Sequence, residues 1–407
     1  MKNAPLLPFL LLICALAACR KIQLPDLLPR PCADVVADAA RLELDWFHTH
    51  AGIHSTPPIV FDQQVVFGLH LSADGTELIS YDGATGQLLW QSAVPTPDYN
   101  EHYQQIGSML YFTDEPKKAL FSFDMATQQL KKVWSLSTPG SMSFQFPVRA
   151  GFAICPVVHF LPLLDSVELS AYLIDLQSGH SREVLRFRTG DAINDDAMLD
   201  PQITVNPAGD TLFCFVTNGY DQAFNSLTRF SSLNLSTGVR VESSALKSDY
   251  YKRSNNMVVE GNRAWFLTKS TLQCLDATLG TILWQADGDF EGCKLLVRGD
   301  RVFTFGYTRQ AFDAVTGTAL WGIYGYPYYG EDLQNSFVRD GQLWLPQEAH
   351  LKSIDLETGC ITGDHAFLSG VGEGVYNMNV DTIGQRIYFS NHRDFSYTSF
   401  FAVPLPK

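Results

Sequence analysis

Beyond the first forty or so residues the chain alternates short apolar runs with polar, glycine-bearing turns, and apolar residues at helical spacing are nearly absent. The stretches "IVFDQQVVFGLH" (59–70), "QITVNPAGDTLFCFV" (202–216), "MVVEGNRAWFLT" (257–268) and "LLVRGDRVFTFG" (295–306) each read as strand, tight turn, strand. After such pairs comes a recurring phrase: "YDGATGQLLW" (81–90), "LDATLGTILW" (275–284) and "FDAVTGTALW" (312–321). Weaker copies are "FDMATQQLKKVW" (123–134), "IDLQSGHSREVL" (174–185), "LNLSTGVRVES" (233–243) and "IDLETGCITG" (354–363). Seven copies spaced by roughly 40 to 60 residues match propeller blades better than helical solenoids.

Each copy reads as a hairpin. An apolar strand ends at Asp82, Asp124, Asp175, Asn234, Asp276, Asp313 or Asp355, whose side chain can accept hydrogen bonds from N–H groups two residues on. Gly86, Gly179, Gly238, Gly280, Gly317 and Gly359 supply the left-handed conformation that closes the turn. Gln128 stands in the glycine position of the second copy, which predicts a looser turn there. Trp90, Trp134, Trp284 and Trp321, on the following strand, are expected to bury their rings against a neighbouring blade. These residues are building parts, the third and fourth strands (C and D) of four-stranded antiparallel blades, and no catalytic role is expected of them.

The ends set the count. "NMNVDTIGQRIYFSN" (377–391) and "SYTSFFAVPL" (396–405) give three strands, and "RLELDWFHT" (41–49) is an orphan strand with Trp46 in the outer-strand position. Pairing Leu42–Thr49 with the C-terminal strand makes an eighth blade and removes two sheet edges. The expected fold is therefore all-β, an eight-bladed propeller closed by its N- and C-terminal strands. The alternative is seven blades with 41–56 packed elsewhere.

The first forty residues differ in kind. Lys2, the apolar "LLPFLLLICALA" (6–17) and "LAAC" (16–19) have the layout of a secretory signal, and "LAAC" is similar to the bacterial lipobox. Residues 1–18 are read as a lipoprotein signal peptide, Cys19 as the lipidated first mature residue, 19–40 as a proline-containing tether and 41–407 as the propeller. The expected location is the bacterial cell envelope, at the outer membrane facing the periplasm. A net charge of −14 with no long basic run argues against nucleic acid as a partner. With 46% hydrophobic and 18% charged residues, the chain has ample material for a core. Of the eight cysteines, the six after Cys19 are far apart and form no CxxC pair, so metal clusters and redox motifs are disfavoured. Cys155 and Cys214 sit in apolar runs and read as buried thiols, while a disulfide pair cannot be chosen from spacing.

The repeats resemble the PQQ-type (quinoprotein-like) propeller repeat, whose core is apolar-Ala-x-Asp-x-x-Thr-Gly-x-x-x-Trp, and the resemblance covers 41–407. A lipid-anchored eight-bladed form is similar to the propeller lipoprotein of the outer-membrane barrel-assembly machinery. That resemblance implies a non-catalytic scaffold contacting partner proteins through loops and strand edges. The same repeat also builds quinoprotein dehydrogenases, many of which clamp the quinone with adjacent cysteines and hold calcium with Glu, Asn and Asp. This chain has no adjacent cysteines and no large covering insertions, so neither PQQ nor any other cofactor is expected.

The connections from each D strand to the next A strand should gather at one end of the blades. They carry Tyr99, Tyr103, Tyr250, Tyr251, Tyr326, Tyr328, Tyr329 and Tyr376. Tyrosine offers apolar area with a polar tip and is enriched at recognition surfaces. These eight are the candidate partner-binding residues, and an envelope protein is the expected partner. His48 and His50 share one face of their strand and are read as solvated rather than metal-binding. "DAINDDAMLD" (191–200) carries Asp191, Asn194, Asp195, Asp196 and Asp200 and reads as an acidic solvated loop without EF-hand spacing. No metal site is expected, and no GxSxG, P-loop or dinucleotide turn occurs. The leading expectation is a non-enzymatic interaction scaffold. The alternatives are a quinoprotein-like dehydrogenase or a glycan-binding propeller.

Overall fold

The computed structural model describes residues 20–23, 42–51, 54–71, 75–95, 103–114, 118–143, 145–149, 151–160, 167–188, 198–220, 226–246, 256–306, 308–324, 336–347, 350–366, 377–394 and 397–406. Among them there is no helix, and all regular structure is strand. Eight antiparallel sheets are built from successive strands in the order A-B-C-D. Blade I comprises Ile59–Phe61 with His54–Ser55, Gln64–Leu71, Gly75–Asp82 and Leu88–Val94. Blade II comprises Gln104–Ile106, Met109–Asp114, Ala119–Asp124 and Gln129–Ser135. Blade III comprises Ser141–Met142 with Val148–Arg149, Phe152–Phe160, Val167–Asp175 and Ser181–Arg188. Blade IV comprises Leu199–Val205, Thr211–Tyr220, Ser226–Asn234 and Arg240–Glu242. Blade V comprises Met257–Glu260, Arg263–Leu267, Thr271–Asp276 and Ile282–Asp287. Blade VI comprises Lys294–Arg298, Arg301–Phe305, Thr308–Asp313 and Ala319–Tyr324. Blade VII comprises Phe337–Arg339, Gln342–Gln347, His350–Asp355 and Ile361–Ala366. Blade VIII takes Asn377–Asp381, Arg386–Asp394 and Tyr397–Pro404 from the C-terminus and Trp46–Ala51 from the N-terminus. The fold is an all-β, eight-bladed propeller, and the seven-bladed alternative falls.

By their contacts the residues form two compact units. One holds 1–30, 158–171 and 184–330, and the other holds 31–157, 172–183 and 331–407. In the first, blades IV and V enclose Leu212, Cys214, Phe230, Phe266 and Leu275, and blades V and VI enclose Trp265, Trp284, Val302 and Phe312. In the second, Val65, Phe67 and Tyr81 of blade I pack on Trp46, Tyr388 and Phe400 of blade VIII.

The repeated turn forms as its residues dictate. Asp82 Oδ1 accepts the Ala84 N–H (3.1 Å), the Thr85 N–H (2.8 Å) and the Thr85 hydroxyl (2.7 Å). Asp313 repeats this with Val315 (3.0 Å) and Thr316 (2.7 and 2.8 Å). Asn234 keeps the two backbone bonds, from Ser236 (2.9 Å) and Thr237 (3.1 Å). The Thr85 hydroxyl and N–H hold the Asp82 carboxyl below the usual carboxylate range, and the Thr316 N–H does the same for Asp313.

A bulge follows the turn in five blades, whereas the C–D pair of blade IV is regular. The C–D register shifts between Ser80 and Tyr81, Leu120 and Phe121, Cys274 and Leu275, Ala311 and Phe312, and Ser353 and Ile354. One residue of the outer strand is thereby left unpaired just before the repeat's last position: Leu89, Val133, Leu283, Leu320 or Thr362. The bulge re-aims the next side chain, which in four copies is the tryptophan.

The re-aimed tryptophan reaches the following blade's turn. Trp284 Nε1 donates to Ala314 O (3.2 Å), and a Cβ on Gly317 would lie 2.5 Å from Trp284 Cδ2. Trp46, on a strand paired without a bulge, makes the same contact: its Nε1 donates to Gly83 O (3.1 Å), and a Cβ on Gly86 would lie 2.5 Å from Trp46 Cγ. Trp134 Nε1 donates to the Ser181 hydroxyl (2.8 Å), while Gly179 abuts Val133 O. At Gly86, Gly179, Gly280 and Gly317 the motif thus works across two blades: the glycine of one turn leaves the space that the preceding blade's outer strand fills, while Gly238 faces open space. Trp90 departs from this by donating to Gln64 Oε1 within its own blade (3.1 Å), with its ring 5.7 Å from Phe123 of blade II.

Gln128 is a correction. Its turn is not looser, because Gln128 N–H donates to Asp124 O at 2.7 Å, as tight as the 2.8 Å of the glycine turns. The glutamine adopts the left-handed conformation itself, at φ +57°. A non-glycine residue there costs about 1–2 kcal/mol. Gln128→Gly should raise stability by about 1 kcal/mol, less than the full strain because glycine also loosens the unfolded chain. A shifted urea midpoint at unchanged slope checks it.

Candidate functional site

Seven of the eight candidate tyrosines (Tyr99, Tyr250, Tyr251, Tyr326, Tyr328, Tyr329 and Tyr376) lie outside the described residues. Tyr103 is described. It is half-buried, 5.4 Å from Phe112, and packs on the apolar layer between blades I and II. The acidic stretch 191–197 also lies outside the described residues. Asp200 does not behave as part of a solvated loop: it is buried, and Oδ2 accepts the N–H groups of Asn256 (2.9 Å) and Met257 (3.2 Å).

Inner strands are tied to one another by side-chain amides. Gln105 Nε2 of blade II donates to Val60 O of blade I (3.0 Å). Gln202 of blade IV donates to Met257 O (2.6 Å) and accepts from Val259 N (2.9 Å) in blade V. Asn379 of blade VIII donates to Pro58 O beside blade I (2.8 Å). Sequence periodicity gives no sign of these amides, since one glutamine in an A strand looks like any exposed polar residue.

The seam between blades VIII and I holds a group of titratable rings. His48 stacks on Tyr81 (4.6 Å between centroids, 8° between planes) and its Nε2 donates to Gly86 O (2.8 Å). His50 Nε2 pairs with the Tyr81 hydroxyl, and its ring lies 5.4 Å from Phe400. Neither histidine is solvated as the sequence suggested, because the neighbouring blade supplies Tyr81 as a cover. Burial raises the Tyr81 hydroxyl to about 12 and Tyr388 likewise to about 12. Burial also lowers His50, with His48 adding to the effect and Glu77 opposing it. The unfolded chain therefore takes up this proton more readily than the folded one. Stability tied to His50 is present above the ordinary imidazole range and is lost as pH falls through it. Melting temperature should drop on acidification across that range, and His50→Gln should shrink the drop. A thermal melt series against pH measures both.

No group of three or more His, Cys, Asp or Glu side chains that could hold a metal occurs among the described residues. Cys155, Cys214, Cys274 and Cys293 are buried thiols, as expected for the first two. Burial holds Cys214 and Cys274 up at about 12 and Cys155 higher still, so none is a ready nucleophile. Cys360 is disulfide-bonded. No helix among the described residues is long and apolar enough to cross a membrane.

Solved structures share this architecture. BamB from Moraxella catarrhalis superposes with a TM-score of 0.52 at 16% identity, over 88% of this chain and 99% of that one. The computationally designed Ika8 protein gives 0.54 at 14% identity, over 89% and 99%. The Dos1 propeller gives 0.53 at 10% identity, over 89% and 95%. The likeness is one of fold alone. A designed protein matches as well as natural ones, so the superposition carries no activity with it. No family model matches the chain, and no curated protein matches it in sequence.

Proposed function

We propose that this protein is a non-enzymatic scaffold of the bacterial envelope, lipid-anchored through Cys19 at the outer membrane and facing the periplasm. It binds a protein partner through the D-to-A connections bearing Tyr99, Tyr103, Tyr250, Tyr251, Tyr326, Tyr328, Tyr329 and Tyr376. The observation that carries this reading is where the repeat's own polar groups go. The turn carboxylates of Asp82 and Asp313 accept bonds from their own turns, and the indoles of Trp46, Trp134 and Trp284 donate to the next blade. Repeat chemistry is thus consumed by the scaffold, and variation is left to the connections. The resemblance to the propeller lipoprotein of the barrel-assembly machinery supports the same reading.

The test is purification of the full-length, tagged protein from detergent-solubilised membranes. A stoichiometric partner should accompany it and be lost on Tyr326→Ala with Tyr328→Ala, while Cys19→Ala should move the protein out of the membrane fraction. Dye-linked alcohol or sugar oxidation after addition of PQQ and calcium would overturn the scaffold in favour of a quinoprotein. Saturable binding on a glycan array, lost in the same tyrosine pair, would make it a glycan-binding propeller.

A further inference from the structure

The sheet of blade V has a fifth strand, the second neighbour of its outer strand. Arg20–Gln23 lies on its open edge as a parallel strand, with Arg20 opposite Trp284, Lys21 opposite Gln285, Ile22 opposite Ala286 and Gln23 opposite Asp287. The direction matters. Ile282–Asp287 leaves the C–D turn and runs toward the D-to-A end of the blade. A parallel neighbour must therefore enter at the C–D turn end and run the same way. Cys19 is one peptide unit before Arg20, about 3.8 Å between α-carbons. The chain therefore reaches Arg20 from the C–D turn end of blade V.

A second observation falls on the same rim. In the unit that contains blades IV, V and VI, the exposed large apolar side chains among the described residues are Val239, Leu279, Leu283, Val315 and Leu320, between 37% and 64% exposed. All five belong to the C–D hairpins of these three consecutive blades. Leu283 and Leu320 are the residues that the outer-strand bulges leave unpaired. Two carboxylates of this rim are engaged within their own turns, Asp276 Oδ1 accepting from Thr278 N (2.8 Å) and Asp313 Oδ1 from Val315 N (3.0 Å). Exposed aliphatic side chains at the rim from which the N-terminal segment enters suit a phospholipid surface.

We propose that the C–D hairpins of blades IV, V and VI rest on the lipid surface, with Arg20–Gln23 strapping the anchor to that rim. The D-to-A ends of these blades then point away from the membrane. This rests on the lipid-anchored reading of Cys19 and adds an orientation to it.

Leu279→Cys and Leu320→Cys, each labelled with an environment-sensitive fluorophore, report on the rim. Ser270→Cys, in the B–C turn at the opposite end of blade V, is the control. Background labelling is low because Cys155, Cys214, Cys274 and Cys293 are buried. Full-length acylated protein is reconstituted into phosphatidylethanolamine–phosphatidylglycerol vesicles containing a doxyl lipid. The expected result is a blue shift and quenching at 279 and 320 and an aqueous signal at 270. Ile22→Pro removes a strand N–H and should abolish the shift at 279 while the protein still floats with the vesicles. Aqueous signals at 279 and 320 in floating protein overturn the orientation but leave the anchor standing. An unchanged shift in Ile22→Pro overturns the strap. Flotation that is absent, or undiminished by Cys19→Ala, overturns the anchor reading instead.

Discussion

Replacing Trp46 by alanine should cost about 3–5 kcal/mol of stability, the usual range for removing a buried tryptophan. Three things are lost together. The ring is 8% exposed and lies among Phe67, Tyr81 and Tyr388. Its indole N–H donates to Gly83 O, which would be left without that donor. Its face fills the space over Gly86, where side-chain atoms are absent. Since domains of this kind are stable by about 5–15 kcal/mol, this one side chain is a large share. Deleting 41–51 goes further by exposing the whole edge of Tyr397–Pro404, which pairs with Trp46–Ala51 over six positions from Trp46–Ala402 to Ala51–Tyr397. That variant should lose its single sharp unfolding transition. Calorimetry decides the matter: a deletion that melts as sharply and as hot as the parent would falsify closure by this strand.

The second large effect is a contrast between two glycines of the same motif. Gly317 and Gly238 are both left-handed, at φ +70° and +73°. A Cβ on Gly238 meets nothing within 4 Å, so Gly238→Ala should cost only the conformational strain, about 1–2 kcal/mol. A Cβ on Gly317 would stand 2.5 Å from the Trp284 ring, which is fully buried and cannot swing aside. Gly317→Ala should therefore cost that strain plus an overpacking penalty of about 1–3 kcal/mol. Urea denaturation of the two variants side by side measures the difference. Equal losses would mean that the glycine is kept for its turn alone and that the contact across blades contributes nothing.

What could be read from the sequence was whatever is local or repeated. The Asp-x-x-Thr-Gly hairpin announces itself because all its partners lie within six residues. The eighth blade follows from three strands at one end and one at the other. Its strand boundary was displaced, however: pairing starts at Trp46 rather than Leu42 and continues to Ala51. Leu42 instead donates its N–H to Ala366 O of blade VII, and Leu42 and Leu44 pack on the layer holding Trp344 and Phe389. Features decided by a neighbouring blade were not legible. The surroundings of His48 and His50 depend on Tyr81, and the role of Asp200 depends on two N–H groups of the next blade. The left-handed Gln128 needed the turn's geometry to be enforced over the residue's own preference. Arg20–Gln23 carries no strand pattern of its own, and what orders it is the unpaired edge of blade V. The tyrosine set rests on connections of which only Tyr103 is described.

Closure by the first strand also governs how the chain can fold. Asp45 and Arg386 form an ion pair across a sequence separation of 341 residues. Contacts so remote slow the search for the native state, because the entropy of closing so long a loop is lost before the contacts compensate it. While the chain is being made, Trp46–Ala51 has to wait as a bare, partly apolar strand until its distant partner Tyr397–Pro404 emerges. During that interval it is open to pairing with other chains. Yield on refolding should accordingly fall with protein concentration far more steeply than native stability would suggest.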